Sequence, residues 1–127
     1  MQNTFADWPE ALVEELAASQ QNGRVGSKLV SETDTLRVWH LHIAPGERLK
    51  FHRHVLNYFW TALTAGRARS HYGDGRIAEA VYAAGDTKHF SFNSGESMIH
   101  DLENIGTEDL VFVTVEFKLG SNSPLTL

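Results

Sequence analysis

From residue 27 onward the chain is written in short alternating runs, cut at intervals of roughly 8–12 residues by glycine, proline or asparagine turns. Residues 36–43, Leu-Arg-Val-Trp-His-Leu-His-Ile, alternate cleanly and stop at Pro45-Gly46. Residues 49–54 are short and extended, and 58–63 are apolar and aromatic before Ala65-Gly66. Residues 67–72 lead into Gly73-Asp-Gly75, a hairpin signal, and 77–82 pair back and end at Ala84-Gly85-Asp86. Residues 89–92 precede the loop at Asn93 to Gly95, and 97–104 and 110–118 are joined by Ile105-Gly-Thr107. Side chains two apart share a strand face, so each run offers one face to a core and one to water. Such a series predicts an all-β antiparallel sandwich or barrel.

Ahead of it, residues 8–19 predict one N-terminal helix. Asp7 is placed to cap it, Pro9 suits its first turn, and Leu12, Leu16 and Ala17 form a short apolar stripe. The division expected is helix and linker over 1–26, barrel over 27–119, and a tail over 120–127. A chain of 127 residues suffices for one such domain with a core. Its net charge of −5, without a basic cluster, argues against nucleic acid and anionic membrane as partners. No apolar run reaches the ~18–20 residues that span a bilayer. The opening residues carry acids where a signal peptide carries bases, which predicts a cytoplasmic protein. With no cysteine, disulfides and thiolate ligands are excluded, so a transition metal must be held through nitrogen and oxygen.

The chemistry-bearing pattern is His52-Arg-His54, with His100 far downstream. On a strand the two rings of an HxH pair point the same way, and a third imidazole from a distant strand can close on an ion. The bland alternative is three ordinary polar histidines. A second HxH, His40 and His42, alternates with Trp39, Leu41 and Ile43; those apolar residues claim the core and put His40 and His42 outside. His71 and His89 read as ordinary polar positions or as supports for ligands. Of the alternating pair Phe59 and Thr61 one is expected on the ligand face, which makes Phe59 a candidate pocket wall. Asn57 and Tyr58 are candidate hydrogen-bond donors to a bound molecule. Glu96 and Glu103 are carboxylates that could orient a histidine ring, though solvated loop acids is the plainer reading.

Gly46, five residues, His52-Arg-His54 and Gly66 fit the first motif of the cupin superfamily, and Gly85, His100 and Asn104 fit its second. Over residues 36–118 the chain resembles that superfamily. It is most similar to small cupins labelled beta-alanine degradation proteins, through Arg37-Val-Trp39, Ala44-Pro-Gly-Glu47, Asn57-Tyr58 and Val115-Glu-Phe-Lys118. The motif's glutamate falls at Phe59, its second-motif proline is replaced by Ser91, and the gap from Gly95 to His100 is longer than usual. The resemblance implies a small jelly-roll (double-stranded β-helix) barrel and a homodimer. It implies one divalent transition metal (Fe, Mn, Ni, Cu or Zn) on His52, His54 and His100, with a small anionic molecule completing the shell. The activity implied is metal-dependent oxygenation or isomerisation of a small carbonyl or carboxylate compound. The alternative is a binding or assembly module in which the metal is vestigial or structural.

Overall fold

The structure is a computed structural model that describes residues 5–127. Among the described residues it holds one helix, α1 (Glu10–Ala18), and nine strands. These are β1 (Lys28–Glu32), β2 (Leu36–Ile43), β3 (Arg48–His54), β4 (Tyr58–Ala62), β5 (Gly66–His71), β6 (Ile77–Tyr82), β7 (Thr87–Phe90), β8 (Met98–Asn104) and β9 (Leu110–Phe117). They form two antiparallel sheets, ordered β1-β2-β9-β4-β7 and β3-β8-β5-β6. One apolar cluster draws Trp39, Leu41, Ile43, Leu110 and Phe112 from the first sheet and Ala68 and Leu102 from the second. The sheets therefore close face to face around a shared core as a jelly roll. Gly46 and Gly85 turn the chain at φ of 82° and 93°, a conformation open to glycine and costly for most side chains.

The two sheets end beside the core in different ways. β6 and β7 are each the last strand of a sheet, and no ladder pairing joins them among the described residues. Both are largely exposed, and Val81 on β6 is 77% accessible. Opposite faces of the barrel also differ. The outer side of the four-stranded sheet is covered by α1, whose Leu16 packs with Trp8, Phe51 and Ile99 in a second core.

Several boundaries differ from those read off the sequence. The helix is shorter than 8–19, and its N-cap is Pro9, with no side-chain cap, rather than Asp7. Trp8 is the cause: its indole stacks on Phe51 at 5.9 Å and its backbone N–H donates to the Phe5 carbonyl, so the chain enters the helix only after it. Ala17 is exposed instead of completing the stripe. The chain also forms β1, a strand the turn pattern does not delimit, paired antiparallel with β2. β7 begins at Thr87, opposite Thr61, and stops at Phe90, because the Phe92 N–H is taken by Asn57 Oδ1 and not by a ladder.

One buried acid lies inside the barrel. Glu116, 3% exposed, accepts a 2.7 Å hydrogen bond from Trp39 Nε1. Burial pushes its carboxyl up to about 7, against the pull of the Trp39 hydrogen bond and of Arg37. The folded chain thus keeps this proton where the unfolded chain has lost it. That stability is whole below about pH 4.5 and is lost as pH rises to about 7. Glu116→Gln retains an acceptor for Trp39 and removes the loss. Chemical denaturation at pH 8 should show the variant more stable by about 2–4 kcal/mol, with the difference vanishing near pH 4. Equal stability at both pH values would refute the buried neutral carboxyl.

Candidate metal centre

β3 and β8 lie side by side with His52 directly opposite His100. A bulge lies between Leu49 and His52, where β3 carries one residue more than β8. The extra residue resets the strand's phase. Leu49 packs against the barrel core, Phe51 turns outward under α1, and His52 and His54 both turn inward. His100 joins them, from a strand whose alternate residues Ile99 and Asp101 face the helix side. One nitrogen from each of the three rings lies within 4.8 Å of the others. The Nε2 atoms of His54 and His100 are 3.3 Å apart. Two nitrogens bound to one ion at ~2.1 Å sit roughly 3–4 Å apart, so this pair already has the spacing of neighbouring ligands.

Electrostatics suit the same role. His52 Nδ1 lies 2.8 Å from the Lys50 carbonyl, which only accepts, so Nδ1 carries the proton and Nε2 keeps its lone pair. Burial pushes His52 down to about 4. His54 and His100 are held well below the ordinary histidine range, first by burial and then by neighbouring imidazoles. All three are neutral at pH 7, the form that binds metal. His54 Nδ1 and His100 Nδ1 are buried with no hydrogen-bond partner among the described residues. Without an ion, two Nε2 atoms 3.3 Å apart can share only one proton, which leaves one inward lone pair facing the other ring. A cation between the rings puts every inward lone pair to use, so the donor set fits a metal.

The cluster opens onto a cavity of about 310 Å³. Tyr58 lines it, stacked on His54 at 4.0 Å and 12°, and on Phe90 at 4.6 Å. Burial raises its phenol far above the usual range, so it stays protonated. Phe59 is not on this wall. The phase of β4 turns Tyr58, Trp60 and Ala62 inward and sends Phe59 to the outer face, against His89 and Phe117. The three-residue spacing from His54, not the four-residue one, marks the inward place, and Tyr58 fills it. Asn57 is a corner brace, accepting from Phe92 N–H at 2.7 Å.

The remaining candidates are placed as follows. His40 and His42 are exposed on the outer face, and His42 pairs with Asp109 at 2.8 Å. His89 is exposed. Glu96 accepts from Asn93 N–H in its loop, and Glu103 faces Arg69; neither reaches a histidine of the cluster. Asn104 closes a turn, donating to the carbonyls of Ile43 and Glu108 at 2.8 Å.

A supporting group that the sequence did not announce lies behind the three histidines. Asp101, fully buried, accepts from the His71 N–H at 2.6 Å, from His71 Nδ1 at 3.0 Å and from Arg48 Nε at 2.6 Å. Arg48 then grips Glu15 of α1 through two hydrogen bonds of 2.8 and 2.6 Å. The helix is thereby tied to both strands that carry the histidines.

No family model matches the chain, and no curated protein matches it in sequence. Solved structures do. A cupin domain from Bordetella pertussis is 21% identical over 72% of this chain and 91% of its own, with a TM-score of 0.64. A protein with a double-stranded β-helix domain from Klebsiella pneumoniae is 28% identical over 75% of this chain and 77% of its own, with a TM-score of 0.57. Oxalate decarboxylase of Bacillus subtilis, a protein with Mn(II) centres, is 29% identical over 65% of this chain, with a TM-score of 0.50; the match spans 21% of the enzyme. The chain has the cupin fold.

Proposed function

We propose that this cupin-fold chain holds one divalent transition metal on His52, His54 and His100 and presents it to a small anionic molecule in the adjoining cavity. The observation that carries this reading is the convergence of three neutral, largely buried imidazoles, two with Nε2 atoms 3.3 Å apart. The Mn(II) centres of the structurally similar oxalate decarboxylase support a divalent metal on this fold. A bound metal supplies polarisation of a ligand oxygen, and three neutral donors leave its double charge uncompensated, which favours an anion. The chain's own residues supply the rest. Aromatic walls exclude water, Tyr58 fixes the plane of His54, and the cavity's hydroxyls are donors for a carbonyl or carboxylate. Turnover on this ligand set would be oxygenation or isomerisation of a small carbonyl or carboxylate compound.

A binding module without turnover is the second reading. It is favoured by the cavity's titratable groups: besides the histidines and tyrosines, only Asp86 and Lys88 line it among the described residues, both at the exposed rim. The chain would act as a homodimer, a reading supported by exposed Ile77 and Val81 on edge strand β6.

Elemental analysis after reconstitution tests the site. Wild type should hold about one metal per chain, as should the His40→Ala, His42→Ala double variant, whereas His52→Ala and His100→Ala should hold almost none. Wild type without metal would sink the proposal. Oxygen uptake with diketones and hydroxy acids then separates an oxygenase from a module.

A further inference from the structure

The cavity is equipped well beyond its three histidines. All of the chain's tyrosines, Tyr58, Tyr72 and Tyr82, line it. None of their hydroxyls hydrogen-bonds a protein group among the described residues. Three donors left free beside one space are matched to a ligand rich in oxygen. Trp60, Tyr82 and Phe112 meet edge to face at 4.9–5.4 Å and form one wall. The His54–Tyr58–Phe90 stack forms another, its rings within 12° of parallel. Flat apolar walls favour a flat, conjugated body.

With the three histidines neutral, Lys88 is the one cationic side chain that lines the cavity among the described residues. It lies opposite Trp60 in the β4–β7 ladder, on the inward phase. Its ammonium rests 5.1 Å from the Phe90 ring and makes no ion pair among the described residues. Asp86, the acid nearby, accepts from the Ala83 N–H at 2.8 Å in its own turn. Lys88 therefore has charge to offer a ligand. It stands two residues along β7 from Phe90, a step of about 7 Å beyond the layer that stacks on His54.

We infer that the cavity takes a two-headed planar carboxylate, with its carboxylate on Lys88, its conjugated body between the aromatic walls, and its second oxygen-bearing end toward the histidines. This deepens the metal-site reading and rests on it only for what the second end meets. The Lys88 contact belongs to the protein alone, so it is tested without metal.

The probes are 3,4-dihydroxybenzoate and catechol, which share the flat dihydroxy end and differ in the carboxylate. Calorimetric titration of metal-free wild type should show the acid bound about tenfold more tightly than catechol, the size of one charge-assisted hydrogen bond. Lys88→Met should weaken the acid alone and bring the two within about twofold, while Lys88→Arg should keep the preference. Added salt should shrink the preference in wild type. Equal binding of acid and catechol by wild type, a preference unchanged in Lys88→Met, or no saturable binding of either probe would overturn the assignment. Elemental analysis separates this from the metal reading. A Lys88-dependent preference in a protein that takes up no metal leaves the ligand class standing and removes the metal, and metal uptake without the preference does the reverse.

Discussion

Asp101→Ala should lower the free energy of unfolding by roughly 3–5 kcal/mol, a large share of what a domain this size possesses. The carboxylate is fully buried and takes four contacts at 2.6–3.2 Å from Arg48 and His71. Removing it strands the Arg48 guanidinium beside Phe51 and leaves the His71 N–H without an acceptor. Breaking a buried pair from one side costs far more than the pair contributes net, because the surviving charge stays desolvated. Glu15 still holds Arg48, which keeps the loss below that of a bare buried cation. Asp101→Asn retains an acceptor and should cost less than Ala. Urea denaturation reads both, and an Ala variant within 1 kcal/mol of wild type would contradict the brace.

The second large effect is on thermal stability with metal. An ion bound only by the folded chain and present at a thousand times its dissociation constant adds about 4 kcal/mol, several degrees in Tm for a chain of this length. His54→Ala should abolish that shift. The pH dependence has a definite sign. All three histidines are depressed in the folded state, so between about pH 6.5 and about 4 the unfolded chain binds more protons. Apo-protein stability conferred by the neutral cluster is whole above about pH 6.5 and declines as pH falls through that window. The metal-induced shift should decline there too, since protons compete for the same nitrogens. A shift surviving in His54→Ala, or one that grows on acidification, would point to another site.

How much of this was legible in the sequence follows from phase. Alternation and turn glycines located most strands, and the parity of Trp39, Leu41 and Ile43 separated the outer histidines from the inner ones. Parity fails wherever a strand is reset. The β3 bulge lets Leu49 and His52, three residues apart, both face inward while Phe51 turns out under α1, and nothing in Lys50-Phe51-His52 announces it. The loop ahead of β4 sets which of Tyr58 and Phe59 looks inward; a one-residue difference exchanged the pocket wall for the outer face. Asp101 was hidden for another reason. Its neighbours in sequence are His100 of the cluster and a core leucine, while its partners, Arg48 and His71, are 53 and 30 residues away. Long-range ion pairs leave no local trace.

The unpaired margin between β6 and β7 bears on how quickly the cavity can fill. Most openings into a closed β structure require ladder bonds to break, so exchange is tied to partial unfolding. Here each of the two strands is already the end of its sheet, and both border the cavity. A ligand entering there separates no backbone pairs. Its arrival is governed by side-chain rearrangement at the rim, on timescales of nanoseconds to microseconds, and not by the stability of the barrel. Tightening the core should therefore leave association rates untouched.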